Sequence, residues 1–145
     1  MIRSGSIIYP GVLVKPDLET GHFTLIRGDV RIGERCRIGS YTSIEGSVVI
    51  GDDTVIRGHC EIPSSRIGSR VQIYAGTMFY DTPNLLDGEL KPPIIEDDVT
   101  LACDVRVLDG VTVGAGSFVC AGAFVTTDIP PNSYVRRDGS WTPRR

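Results

Sequence analysis

A few side chains in this sequence stand out for acid–base chemistry. There are two histidines, His22 and His59, and one aspartate, Asp81, that closes the segment Thr77-Met78-Phe79-Tyr80-Asp81 where it runs into turn-forming residues. An imidazole or carboxylate at the edge of such a loop can take a proton from a bound nucleophile. The four cysteines, Cys36, Cys60, Cys103 and Cys120, show no C-x-x-C spacing, so neither a zinc knuckle nor a redox motif is indicated. No neighbour in sequence would activate any of them for covalent catalysis. Reduced thiols and no metal centre are expected. Arg27-Gly28-Asp29 reads as an exposed charge pair on a turn.

The charge balance narrows the partners. With 15 basic against 18 acidic residues and a net charge of -3, nothing draws the chain to nucleic acid or to an anionic membrane. The opening residues, Met1 to Ile8, lack the sustained apolar region of a secretory signal, and no stretch approaches the roughly 20 residues of a membrane span. A single cytoplasmic domain over 1–145 is expected.

The elements that position these side chains are set by a repeat. In a six-residue frame from Ile8 to Val125, Ile, Leu or Val fills 17 of 18 positions, with Thr20 the exception. Those three types make up 38 of 145 residues, so chance would supply only about five. The frame slips by one residue after Ile62 and breaks between Ile73 and Ile95. Four residues after the aliphatic ones, from Val12 to Ile129, stand small or small β-branched residues at 15 of 17 positions, such as Thr24, Cys36, Thr42, Thr54, Cys60 and Thr77. A strand repeats every two residues and a helix every 3.6, so a period of six means a short strand plus a turn. Gly21, Gly33, Gly39, Gly51, Gly68 and Gly114 follow the aliphatic residue and are expected to give the turns their positive φ.

Three such segments close a triangular coil, so the fold expected is an all-β parallel β-helix of about six coils. A protruding loop at 80–94 and a short irregular tail at 132–145 interrupt it. If the loop replaces one hexad, Thr20, Ile38, Ile56, Ile73, Leu101 and Val119 stack on one wall. Phe23, Tyr41, His59, Gly76, Asp104 and Gly122 then form a column beside it. The loop leaves just after the Gly76 level, which predicts that His59 and Asp81 approach one another.

The repeat Ile50-Gly51-Asp52-Asp53-Thr54-Val55 resembles the Ile-Gly-x-x-Thr-x of hexapeptide-repeat proteins, and that resemblance, not the periodicity, implies a left-handed coil. His22 to Asp29, Glu61-Ile62-Pro63, Thr77 to Asp81 and Val125 to Pro131 together resemble the trimeric hexapeptide acyltransferases that N-acetylate nucleotide-linked amino sugars. Their usual Phe-Thr-Asn-Asp segment places its Asn at Asp81 here. The O-acetyltransferases of this fold carry a histidine at the level of Met78, which this chain lacks. An alcohol needs a general base to attack a thioester, whereas a neutral amine does not, so the missing histidine is compatible with N-acylation.

The resemblance therefore implies an acyl-CoA-dependent N-acyltransferase, with acetyl-CoA or another short acyl-CoA as co-substrate, a small amine as acceptor and a homotrimer as the assembly. Asp81 would accept the amine proton with His59 nearby, and Tyr80, Asn84, Arg57 and Tyr74 would line the acceptor site. Ala102, Cys103, Ala121 and Gly122 keep one wall low enough for the pantetheine arm. The chain has Thr127 where relatives have Lys, and the tail Tyr134 to Trp141 replaces their Gly-Asn-Pro-Ala. There Arg136, Arg137 and Trp141 offer charge and stacking for the adenine and 3′-phosphate. A second reading, a non-catalytic scaffold, rests on that tail and on the absent histidine. Arg27-Gly28-Asp29 also resembles the Arg-Gly-Asp of γ-class carbonic anhydrases, but those need three different histidines for zinc and the chain has two.

Overall fold

A computed structural model describes residues 1–81 and 89–145. The chain is a left-handed parallel β-helix with three walls and about seven coils. On the first wall Ile8, Ile26, Ile44 and Ile62 stack inward, followed by Phe79, Val107 and Val125. The second wall carries Ile32, Ile50, Ile67, Ile95, Val113 and Ile129. The third carries Thr20, Ile38, Ile56, Ile73, Leu101, Val119 and Val135, the stack the periodicity predicts, with one residue more. All the aliphatic residues of the third stack are buried. Each coil covers its apolar face only with the coils above and below.

The count rises from six coils to seven because three inward residues stand outside the aliphatic frame. Phe79 is aromatic, Ile129 follows a two-residue contraction that moves it from a small position to a wall position, and Val135 lies in the supposed tail. That tail is not irregular. Ser133–Val135 adds a parallel strand beside Phe118–Val119, and Trp141–Pro143 folds back antiparallel on it. The interruption is shorter than expected, since Ile94–Ile95 already forms a strand of the second wall.

The small positions have a chemical reason beyond size. Thr24, Thr42 and Thr54 are buried, and each hydroxyl donates to the turn carbonyl of the next coil, at Gly39 (2.9 Å), Arg57 (2.9 Å) and Gly68 (2.8 Å). A turn carbonyl facing the interior is thereby satisfied. Cys36 and Cys60 occupy the same slot, with thiols 3.1 Å and 3.3 Å from the carbonyls of Gly51 and Tyr74. Burial pushes the Cys60 thiol up to about 11 and raises that of Cys36. Iodoacetamide at pH 8 should therefore alkylate exposed Cys103 first and leave Cys36 and Cys60 unmodified, as peptide mass spectrometry would show. Labelling of Cys60 as fast as Cys103 would contradict its core position.

The glycines after the aliphatic residues do not supply positive φ. That conformation falls two residues later, on Phe23, Arg35, Tyr41, Asp53, His59, Arg70, Asp98 and Asp104. Gly39 is required for a different reason: a Cβ there would collide with the backbone of Arg57 and Gly58 in the next coil. Along one corner the left-handed residues pair by charge. Arg35 grips Asp53 through Nε (2.7 Å) and Nη2 (3.0 Å), and Arg70 grips Asp98 likewise (2.7 and 3.1 Å). Arg27 pairs not with Asp29 but with Glu45 of the next coil, at 2.8 Å.

Candidate active site

Most of the side chains singled out in the sequence fall into three places. The first is a recess of about 470 Å³ at the stem of the loop, where the first wall ends. Phe79 is anchored inward by its pairing with Val107, and the Tyr80 amide donates to the Val107 carbonyl (3.0 Å), so Tyr80 and Asp81 leave the coil in a fixed direction. Asp81, Tyr80, Met78, Glu61, Glu45 and Ser43 face the recess. Glu61 lies in register beneath Met78, one coil from the loop. The Tyr80 ring packs 5.8 Å from that of Phe124.

The three carboxylates differ in what they are free to do. Glu45 takes hydrogen bonds from Ser43 (2.8 Å) and from Arg27 (3.0 Å). These hold its carboxyl below the usual carboxylate range, so it is a committed acceptor and a poor base. Among the described residues neither Glu61 nor Asp81 has a side-chain partner. The recess therefore presents two available carboxylates beside an aromatic wall, a setting suited to a protonated or hydrogen-bonding amine.

His59 is not part of this recess. It sits at the corner between the third and first walls with φ 57°, its ring stacked 5.1 Å from Tyr41, which in turn lies 5.4 Å from Phe23. The column Phe23, Tyr41, His59 exists as predicted, but the approach to Asp81 does not. Because Phe79 belongs to the array, Asp81 is carried one strand further, to the opposite end of the first wall. Arg57 and Tyr74 form the second place, on the third wall, with the Arg57 guanidinium 5.4 Å from the Tyr74 ring centre. They do not line the recess with Tyr80. Asn84 lies outside the described residues.

The third place is the corner of the late coils. Ala102, Cys103, Ala121 and Gly122 follow Leu101 and Val119, and the Gly122 amide donates to the Cys103 carbonyl at 2.9 Å, so they form one continuous low surface. The hairpin of the last two strands brings Arg137 across Gly122. Arg136 turns back into the hairpin, with Nη2 3.2 Å from Thr142 Oγ1. Thr127 follows Val125 and stands at a different corner, apart from the other residues expected to hold the donor. Sequence reasoning gave Glu61 and Glu45 no role. Counting Phe79 as a member of the frame would have set Glu61 beneath Met78 and revealed the recess.

Two family models match the chain, bacterial transferase hexapeptide (six repeats) over residues 29–64 and hexapeptide repeat of succinyl-transferase over 92–127. The bifunctional protein GlmU of Thermodesulfovibrio yellowstonii is 36% identical over 123 residues, 84% of this chain and 26% of that protein. The 2,3,4,5-tetrahydropyridine-2,6-dicarboxylate N-acetyltransferase of Staphylococcus aureus is 40% identical over 73 residues, 47% of this chain and 28% of that protein. The chain thus spans about a quarter of the length of the curated relatives it matches. Among solved structures, a hexapeptide-repeat-containing acetyltransferase from Vibrio cholerae O1 biovar eltor, complexed with acetyl coenzyme A, is 32% identical, with a TM-score of 0.64 over 72% of this chain and 64% of that one. With its six-residue repeat and three stacked walls, this chain belongs to the hexapeptide-repeat transferase family.

Proposed function

We propose that the protein transfers a short acyl group, acetyl first among them, from coenzyme A to the amine of a small molecule such as an amino sugar. The observation that carries this reading is the recess at the loop stem, where Asp81 and Glu61 stand beside Tyr80 with no side-chain partner among the described residues. A thioester is already activated, and an amine attacks it once its extra proton is gone. Asp81 or Glu61 accepts that proton and orients the nitrogen, and coenzyme A leaves as the thiol. The donor's pantetheine arm lies along Ala102, Cys103, Ala121 and Gly122, with Arg137 over the far end. A Vibrio relative that shares the fold holds acetyl coenzyme A, and the matched Staphylococcus enzyme is an N-acetyltransferase, which supports donor and reaction class alike.

The recess and the low corner lie at different corners of one chain, so the reading requires a homotrimer in which the recess of one subunit meets the donor surface of its neighbour. The exposed Leu90 beside the loop is then covered. Two measurements test this together. Thiol release from acetyl-CoA across a panel of amines should show turnover with an amino sugar or similar amine. Sedimentation at micromolar protein should give three times the mass of one chain. Absence of both coenzyme A binding and turnover would leave the scaffold reading, and a stable monomer would remove the intersubunit site.

A further inference from the structure

The early coils of the third wall hold a hollow apart from both the loop-stem recess and the low corner of the late coils. It measures about 410 Å³, within the usual range for small-molecule sites. Three arginines line it: Arg3 from the opening segment, Arg37 from the coil of Ile38, and Arg57 from the coil of Ile56. Those coils are adjacent, with Arg37 in register with Val55 and Ile38 with Ile56. Neighbouring strands lie about 4.8 Å apart, so successive guanidiniums fall within reach of one ligand.

The floor beneath them is low. Gly21 and Gly39 line it, and a Cβ on either would strike the next coil, so the backbone leaves no side chain standing there. Among the described residues the one acidic side chain in the lining is Glu19, already 3.3 Å from Arg37. Arg3 and Arg57 have no carboxylate partner among the described residues. Arg3 is held by its backbone, whose amide donates to Thr20 Oγ1 at 3.1 Å. Arg57 is held by the Tyr74 ring, a contact that fixes the guanidinium and leaves its N–H groups unspent. The hollow thus concentrates positive charge on a chain whose net charge is -3.

We propose that this hollow binds the phosphate groups of a small ligand, with Arg3, Arg37 and Arg57 donating to them. Planar guanidinium forks match phosphate oxygens two at a time, and three forks around one floor fit a diphosphate better than a single carboxylate. A nucleic acid would need an extended basic track, which the acidic chain does not offer. The site stands whether or not the protein transfers acyl groups, because its test reads binding alone.

The probe is inorganic pyrophosphate, titrated calorimetrically into the full chain at low ionic strength. Saturable binding is expected. Arg3→Gln and Arg57→Gln should each weaken it about tenfold, the effect of losing one charge-assisted contact. Glu19→Gln should tighten it by freeing Arg37, a gain that a misfolded variant could not show. Arg66→Gln, an exposed arginine of the second wall, should leave it unchanged. Equal weakening by Arg66→Gln, or no saturation up to about 10 mM, overturns the proposal. A competition with coenzyme A then identifies the source of the phosphate. Displacement assigns the hollow to the donor's diphosphate, and simultaneous binding assigns it to a second phosphorylated ligand.

Discussion

Ile50→Asp is expected to abolish the cooperative thermal transition, whereas Asp52→Asn, two residues further along the same coil, should change stability by no more than about 0.5 kcal/mol. Ile50 is only 2% exposed and stacks between Ile32 and Ile67 on the second wall. A carboxylate there meets aliphatic groups above and below and has no donor to pair with. Its burial costs several kcal/mol, and the missing methyl groups leave a void besides. A domain of this size has roughly 5–15 kcal/mol in total, so one substitution consumes most of it. In a solenoid the damage also spreads, since each coil is covered only by its neighbours. Asp52 by contrast uses one oxygen to accept the Glu34 amide at 2.8 Å, which an asparagine oxygen does equally well. The pair is compared by circular dichroism melting. Similar losses from both changes would place Ile50 outside the core.

The repeat made most of the fold legible, for a physical reason. An inward position in a stacked array sees the same surroundings in every coil, so selection for burial writes the same residue class every six positions. The third wall could be assigned through Val119 on that basis. What escaped were positions where geometry, not burial, decides. Phe79 fills an inward place with an aromatic ring, and an aliphatic search passes over it. The glycines after the aliphatic residues look like turn formers, yet their role is steric clearance between coils, a nearest contact 17 to 29 positions further on that no local pattern displays. The first of these bears on the site. Omitting Phe79 set Asp81 beside His59 instead of beside Glu61, and moved the candidate base to the wrong corner. The donor corner was easier to place, because Ala102, Cys103, Ala121 and Gly122 are fixed by the same register as the core.

Asp81→Ala should lower turnover about 10²-fold or more in the thiol-release assay, the usual scale for a lost acid–base group, with coenzyme A affinity nearly unchanged. The loss appears in kcat because the carboxylate acts on the amine as it attacks, and the donor surface lies at another corner of the chain. Glu61→Gln should raise KM for the amine more than it lowers kcat, since Glu61 lies one coil back from the loop and faces the amine's approach. Glu45→Gln should matter least of the three, because Arg27 and Ser43 already occupy its carboxylate. His59→Ala should leave kcat within about threefold, as its ring is spent on Tyr41 and lies away from the recess. The four variants together separate the possibilities. If Glu61 rather than Asp81 gave the large kcat loss, the recess would stand with the base reassigned. If His59→Ala abolished turnover while both carboxylate variants remained active, the acceptor would bind at the aromatic corner, and the recess at the loop stem would not be the active site.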